Sequence, residues 1–354
     1  MKVHWTKYNL KFKFDAGTSR GILRNKVSYF VFIKDNSGAT GIGECSFLTG
    51  LSIDDRPDYE EKLTRVCNSY QQQSISDYDS LLKFFEEHLA EGWPSIRMGI
   101  ETAFLDQVNG GGRIVFHNGF INGATIPING LIWMGEKRFM LEQVKEKIES
   151  GFRCIKVKIG AIDFDAELDV LKYVRSKFTD QDITLRVDAN GAFNMKNVME
   201  KLNLLERLKI HSIEQPIKAG QWESMRELCE RSPIPIGLDE ELIGDYTYSQ
   251  KKELIEFIKP HYIILKPSLL GGFNASDDWI QIARSNKAGW WITSALESNI
   301  GLNAICQYTF GLGVEMEQGL GTGALYRNNI ESPLVVKNGN IQYEKGHSWD
   351  LSGL

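Results

Sequence analysis

The chain has 354 residues, enough for a barrel of about 250 residues and a second, smaller region. Its 42% hydrophobic content is typical of a globular fold, and its formal net charge of −5 excludes the basic surface of a nucleic-acid-binding protein. No apolar run approaches the roughly 20 residues that cross a membrane, and the first residues carry no signal-peptide pattern. We therefore expect neither a nucleic acid nor a membrane as a partner.

The cysteines are odd in number, scattered and without a Cys-x-x-Cys pair: Cys45, Cys67, Cys154, Cys229 and Cys306. This pattern predicts a reduced, cytoplasmic chain that has neither structural disulfides nor a zinc site. It gives no indication of the oligomeric state.

Residues 1–123 predict an α+β capping domain. Apolar side chains at alternate positions from Val3 to Phe14 predict a half-buried strand. Two further strands are predicted at 27–34 and 39–47. Helical patterns follow at roughly 57–72, 77–91 and 94–109.

From residue 124 the pattern becomes an alternation of strands and helices, which predicts a (β/α)7β-type TIM barrel over 124–330. The predicted strands are 125–133, 154–159, 184–188, 213–214, 235–238, 262–265 and 290–293, and an eighth unit is degraded near 314–330. Within 331–354, Asn338-Gly339 predicts the turn of a hairpin that returns to the capping domain.

Five charged residues end consecutive predicted strands of this barrel: Lys158, Asp188, Glu214, Asp239 and Lys266. Each lies 25 to 30 residues after the one before it, about the length of one strand, one helix and two loops. The carboxyl ends of barrel strands converge, so we expect three carboxylates and two amines around one pocket.

The strand at 154–159 places Lys156 and Lys158 on one face and apolar residues on the other. Parallel barrel strands are usually buried on both faces, so two lysines on one face require an explanation. One explanation is an edge strand with a solvated face. The other is an amine whose pKa is brought to about 7–8, where a general base works.

An aspartate before a turn is ordinarily a cap, but carboxylates at the ends of three consecutive strands favour a metal site. Mg²⁺ prefers oxygen ligands in octahedral geometry, and three carboxylates leave positions for water or substrate. The histidines have no matching spacing, which favours Mg²⁺ or Mn²⁺ over zinc. Lys266 is either a surface lysine or, with Lys158, a group that flanks the substrate. That arrangement suits removal of a proton next to a carboxylate.

This set, with Lys156-x-Lys158, Asp188, Glu214, Asp239 and Lys266, resembles the enolase superfamily, muconate-lactonising subgroup. Further segments resemble the o-succinylbenzoate synthase family of that subgroup: 18–21, 41–46, 50–52, 128–133, 294–298 and 319–323. The resemblance covers nearly the whole chain. It implies a hydro-lyase that dehydrates 2-succinyl-6-hydroxy-2,4-cyclohexadiene-1-carboxylate to o-succinylbenzoate in menaquinone biosynthesis.

The resemblance also implies roles for individual residues. Lys158 would remove the proton α to the carboxylate and return it to the departing hydroxyl, and Lys266 would stabilise the enediolate from the other face. The carboxylates would hold Mg²⁺ or Mn²⁺. The surrounding groups that tune and orient this set would be Lys156, Arg186, Asn190 and Glu240. Substrate contacts are expected from Ser19, Arg20, Ser294 and Gly321, with loops around 18–20 and 49–52 closing over the succinyl tail.

Alternative functions remain open at this point. The same two lysines could serve an N-succinylamino acid racemase or another racemase of the subgroup, although 294–298 lacks the Asp-x-Asp pair of dipeptide epimerases. Residues 17–21 fit the G-x-S-x-G motif of serine hydrolases, but a strand-like run follows instead of a helix. Residues 319–324 loosely fit a dinucleotide loop without room for a following βαβ unit. A non-enzymatic binding barrel would have no use for both lysines and all three acids.

Overall fold

The computed structural model describes residues 1–18, 21–73, 75–90 and 92–354. Within them, the N-terminal region contains an antiparallel sheet and three α-helices, as the sequence predicts. The strands are β1 (Lys2–Thr18), β2 (Gly21–Lys34) and β3 (Thr40–Cys45). The helices are α1 (Tyr59–Gln72), α2 (Tyr78–His88) and α3 (Pro94–Val108).

Helix α3 lies against β3 and is buried on nearly all sides, which explains why its apolar pattern is broad. Glycines on both elements permit the close approach. A Cβ at Gly43 would lie 1.8 Å from the carbonyl oxygen of Gly99, and a Cβ at Gly99 would lie 2.2 Å from Cys45 Sγ. Only residues without a side chain fit there.

The second region begins with β4 (Thr125–Pro127) and continues as a curled parallel sheet. In the part of the chain that the structure describes, seven strands form this sheet in chain order. They are β5 (Gly130–Ile132), β6 (Cys154–Lys158), β7 (Thr184–Asp188), β8 (Ser212–Glu214), β9 (Ile236–Leu238), β10 (Tyr262–Leu265) and β11 (Gly289–Ile292). The α-helices between and after them are α4 (Lys137–Glu149), α5 (Phe164–Arg175), α6 (Val198–Glu206), α7 (Trp222–Arg231), α8 (Tyr248–Ile258), α9 (Pro267–Leu270), α10 (Phe273–Ser285) and α11 (Asn299–Gly311).

The single strand expected over 125–133 is instead two strands in two sheets. Between them the backbone changes partner, because the N–H of Ile128 donates to Gly339 O at 2.9 Å whereas that of Asn129 donates to Gln318 O at 3.0 Å. The local sequence could not show this change, since both partners lie about 190 to 210 residues away in the chain.

The degraded eighth unit is reduced to two bridging residues between the ends of the sheet. Gln318 pairs in parallel with Ile128, and Gly319 pairs in parallel with Thr293 just after β11. The N–H of Gly319 donates to Ile292 O at 2.8 Å, and Ser294 N–H donates to Gly319 O at 3.1 Å.

The predicted hairpin consists of β12 (Leu334–Lys337) and β13 (Asn340–Tyr343). Asn338 and Gly339 have φ angles of 50° and 69°, as a two-residue hairpin turn requires. The hairpin itself pairs with β4, not with the N-terminal sheet. Beyond the hairpin, Trp349, Leu351 and Leu354 pack against the cluster that contains Phe30 and Ile42. None of the described helices has the length and apolarity needed to cross a membrane.

The two regions are joined through a buried carboxylate at the start of a helix. Glu101 on α3 accepts hydrogen bonds from the N–H groups of Phe273 at 2.7 Å and Asn274 at 3.3 Å, which begin α10, and from the hydroxyl of Tyr78. Burial raises the pKa of Glu101 to about 7, although these three hydrogen bonds oppose the shift. The N-terminus of a helix favours such an acceptor.

We predict that the burial of Glu101 makes stability depend on pH. The folded pKa of Glu101 is above its ordinary value of 4.5, so its contribution is complete below pH 4.5 and is lost as the pH rises to about 7. The free energy of unfolding, measured with urea, should therefore fall relative to that of Glu101→Gln by up to about 3 kcal/mol across that interval. A difference between the two proteins that stays constant or grows with pH would contradict this expectation.

Candidate active site

The carboxyl ends of five adjacent strands bring the predicted charged residues together. In the register of the sheet, Lys158 lies opposite Asp188, and Asp188 lies opposite Glu214. Asp239 directly follows β9 and Lys266 directly follows β10. Chain order equals strand order here, so equal spacing in the sequence becomes adjacency in space.

The three carboxylates form one compact, buried group. One oxygen from each of Asp188, Glu214 and Asp239 lies within 4.8 Å of the other two, and each residue is at most 2% exposed. Oxygens at this separation can contact a single divalent cation, since such ions bind oxygen at about 2.0–2.6 Å.

The hydrogen bonds of Glu214 support a metal ligand. Its Oε2 accepts from Lys156 Nζ at 2.7 Å, while the buried Oε1 has no hydrogen-bond partner among the described residues. Burial raises the pKa of Glu214 to about 7 against the effect of Lys156, and the charges of Asp188 and Asp239 add to the rise. A cation would interact with the unpaired oxygen of Glu214 and would offset the repulsion among the three carboxylates. The three residues are therefore arranged so that they could hold one divalent metal ion.

The two catalytic candidates lie on different sides of this group. Lys158 Nζ donates to Asp188 Oδ2 at 3.2 Å, and Lys266 Nζ donates to both carboxylate oxygens of Asp239 at 2.5 Å. Their strands, β6 and β10, are four positions apart in the sheet. A substrate carbon between them would meet one amine on each face.

Lys156 connects two of the carboxylates. Its Nζ lies 2.7 Å from Glu214 Oε2 and 3.4 Å from Asp188 Oδ2. Burial lowers the pKa of Lys156, but the charges of Glu214 and Asp188 outweigh it and the net shift is upwards. For Asp188, burial acts to raise the pKa, and the surrounding lysines hold it well below its usual range. Lys156 therefore stays protonated and places a positive charge next to Glu214 and Asp188.

Asn190 and Glu240 lie beside Lys158. The Asn190 side-chain oxygen accepts from Lys158 Nζ at 2.9 Å, and its amide nitrogen donates to Glu240 Oε1 at 2.9 Å. This chain of contacts fixes the orientation of the amide. Asn190 has a φ of 43°, a left-handed conformation that directs its side chain back towards the strand ends.

Arg186 contacts other groups than the charged residues that it was expected to orient. It lies on β7 two residues before Asp188, but its guanidinium donates to Glu317 O at 2.8 Å and lies 4.3 Å from the centre of the Trp291 ring. These contacts hold the segment that bridges the ends of the sheet. No local pattern could indicate Glu317 as the partner of Arg186, because the two residues are 131 positions apart in the chain.

A cavity of about 770 Å³ opens above the charged group and contains the other expected residues that the structure describes. Ser294 and Gly321 line it, and the Ser294 hydroxyl lies 2.6 Å from that of Thr322. Ser19 and Arg20 lie outside the described residues. Thr49 and Gly50 bring the predicted loop at 49–52 to the cavity wall.

The sequence pattern missed Gln215, which holds the backbone of Asp239. Its Oε1 accepts the backbone N–H groups of Asp239 and Glu241, both at 3.2 Å, and its Nε2 donates to Ile217 O at 3.0 Å. Its φ of 40° turns the side chain towards the next strand. Its position directly after Glu214 was the available signal. Lys26 and Asn129, which also line the cavity, were not predicted either.

Comparison with known proteins identifies the family. Residues 140–351 match the family described as enolase C-terminal domain-like. The chain is 43% identical to the o-succinylbenzoate synthase of Desulfotalea psychrophila, over 96% of this chain and 98% of that protein. It superposes on the crystal structure of MenC from Desulfotalea psychrophila with a TM-score of 0.87 and 39% identity, covering 97% of this chain and 99% of that one.

A second relative bears on the alternative function. The N-succinylamino acid racemase of Thermus thermophilus is 32% identical over 221 residues, covering 59% of this chain and 55% of that protein. The chain therefore belongs to the enolase superfamily and, within it, to the family of the o-succinylbenzoate synthase that it matches along nearly its whole length.

Proposed function

We propose that the chain dehydrates 2-succinyl-6-hydroxy-2,4-cyclohexadiene-1-carboxylate to o-succinylbenzoate in menaquinone biosynthesis. The observation that carries this proposal is the placement of two lysines on either side of one three-carboxylate site. The 43% identity to an o-succinylbenzoate synthase supports the choice of reaction. The cavity of about 770 Å³ is within the usual size range of small-molecule sites.

In this reaction Lys158 acts first as a base and then as an acid. Its neutral amine takes the proton from the carbon next to the ring carboxylate, and the electron pair moves towards that carboxylate. The resulting ammonium gives a proton to the hydroxyl on the same face, the carbon–oxygen bond breaks, and water leaves. The ring becomes aromatic. Asn190, which accepts a hydrogen bond from Lys158 Nζ at 2.9 Å, holds the amine at the cavity wall.

The other charged groups of the site stabilise the negative charge that forms on the substrate when Lys158 removes the proton. Lys266 presents an ammonium from the opposite side of the site and needs to transfer no proton. We propose that Asp188, Glu214 and Asp239 hold Mg²⁺, with Mn²⁺ as the other candidate, because carboxylate oxygens suit both ions. Such an ion supplies positive charge for the negative charge that develops on the substrate carboxylate.

We also propose the finer architecture. Gln318 and Gly319 pair with both ends of the parallel sheet, which supports closure into a (β/α)7β barrel over 124–330. Residues 1–123 would then form the capping domain and 331–354 a C-terminal segment. A cytoplasmic location is supported by the five cysteines, which are all buried free thiols.

A racemase of N-succinylamino acids is the second candidate. It is favoured by the same pair of amines, since racemisation removes a proton from one face and delivers one to the other. The Thermus thermophilus relative supports it over part of the chain.

We expect Lys158→Ala to lower the rate of aromatisation by about 10²–10⁴-fold, because the base is lost. The measurement is an ultraviolet assay of o-succinylbenzoate formation with Mg²⁺ and with a chelator. The control is Lys251→Ala, which removes a buried lysine paired with Asp278 at 2.8 Å, away from this cavity. Aromatisation that persists at the wild-type rate in Lys158→Ala would overturn the proposed role.

Lys266→Arg separates the two candidate reactions. Arginine keeps the positive charge but does not exchange a proton at neutral pH, so dehydration should persist at a reduced rate while racemisation stops. The measurement compares aromatisation with loss of optical rotation of an N-succinylamino acid. Racemisation by the wild-type protein without any aromatisation would move the assignment to the second candidate.

We expect Gln215→Leu to weaken Mg²⁺ binding by about 10–100-fold, because Asp239 loses the acceptor that fixes its backbone. Calorimetric titration with MgCl₂ measures the change. Gln221→Leu is the matched control, since Gln221 is a surface glutamine that donates to Lys218 O. Equal Mg²⁺ affinity in the two variants would show that Gln215 does not position the site.

A further inference from the structure

One buried lysine of the N-terminal sheet faces the cavity and takes no part in the metal site. Lys26 on β2 is 7% exposed and lines the cavity. Its Nζ donates to the hydroxyls of Ser28 at 3.1 Å and Ser46 at 2.5 Å. Within the described residues it forms no ion pair. A lysine ammonium has three protons, so one remains for a ligand in the cavity.

The two carboxylates whose charges act on Lys26 are already engaged by other groups. Glu44 accepts from the hydroxyl of Ser28 at 2.6 Å, from the N–H and hydroxyl of Ser298 at 2.9 and 2.5 Å, and from Gly301 N–H at 3.0 Å. Glu297 accepts from Ser268 at 2.5 Å and Ala295 N–H at 2.7 Å. Both acids act on Lys26 from a distance, and neither contacts it.

The environment of Lys26 lacks the anion that a buried cation requires. Burial lowers its pKa, and the charges of Glu44 and Glu297 only oppose that shift. A buried ammonium is costly unless a charged partner meets it. The amines at the strand ends differ in this respect, because Lys156, Lys158 and Lys266 each contact a carboxylate.

We propose that Lys26 binds a second carboxylate of the substrate, at a point of the cavity wall separate from the metal-binding acids. This inference rests on the proposed function, in which the first carboxylate lies at the acids. The cavity is continuous between the two positions, and its wall includes the apolar side chains of Leu131, Trp133 and Leu296. These suit the carbon skeleton between two charged ends. The site therefore selects dicarboxylates, of which the succinyl substrate is one.

Arg24 is the competing residue on the same strand. It also lines the cavity, but its side chain is 68% exposed and already pairs with Asp15 at 3.0 Å. A solvated guanidinium with a carboxylate partner gains less from a ligand than a buried ammonium without one. Lys26 is therefore the assigned residue.

The test compares two ligands that differ only in the tail charge. They are o-succinylbenzoate and 2-butyrylbenzoate, in which a methyl group replaces the tail carboxylate. Each is titrated calorimetrically into the Mg²⁺-loaded protein. The wild-type protein should prefer the dicarboxylate by about 10–100-fold, the value expected for a charge-assisted hydrogen bond, and Lys26→Met should bind both ligands about equally. Retained binding of 2-butyrylbenzoate by Lys26→Met shows that its site is intact.

Lys251→Met is the matched control for removal of a buried lysine and should keep the wild-type preference. If Lys26→Met does not fold, Lys26→Gln gives the same comparison, because its amide can still donate to Ser28 and Ser46. A preference that survives loss of Lys26, or that disappears in Arg24→Met instead, overturns the inference.

The aromatisation assay on the same proteins separates this inference from the proposed reaction. A Lys26-dependent preference without aromatisation refutes the reaction and leaves the binding role standing. Aromatisation with a preference that does not depend on Lys26 refutes the binding role and leaves the reaction standing.

Discussion

The structure depends on the placement of three buried carboxylates around one point. Asp188, Glu214 and Asp239 repel each other in a medium that screens charge poorly, so the group is stable only with positive charge nearby. Lys156 supplies part of it beside Glu214 and Asp188, and Lys266 supplies part of it beside Asp239. A divalent ion held by the three acids would complete the balance. Lys266, which would stabilise the negative charge that develops on the substrate, is thus also one of the groups that offset the repulsion among the acids.

The N-terminal region is held over this site by carboxylates at helix N-termini. Glu44 on β3 accepts from Ser298 and Gly301 at the start of α11, and Glu101 on α3 accepts from Phe273 at the start of α10. Both acids thus satisfy N–H groups that a helix leaves unpaired, and both interact favourably with its dipole. The cavity wall provided by β2 is therefore fixed relative to the strand ends.

The sequence predicted the parts of the site that follow a local rule. Even spacing located Lys158, Asp188, Glu214, Asp239 and Lys266, because parallel strands repeat at a nearly constant interval and converge at one edge. Features that depend on pairing across the chain were not accessible. The split of 125–133 is set by residues 318 and 339, and the contact of Arg186 is set by Glu317. Lys26 occupies one position in an ordinary strand, and only the fold brings it to the cavity.

Fixed charges at two positions in one cavity would determine how a substrate lies between them. A molecule with a single carboxylate can turn about its bound end, and either face of its reacting carbon can then meet Lys158. With a second carboxylate on Lys26, that rotation is lost, and the orientational entropy is removed before the chemical step. Recognition of the tail would then act on the reaction itself, because Lys158 can serve as both base and acid only if the proton and the hydroxyl lie on its side. On this view the N-terminal region contributes to the choice of reaction through a residue that takes no part in proton transfer.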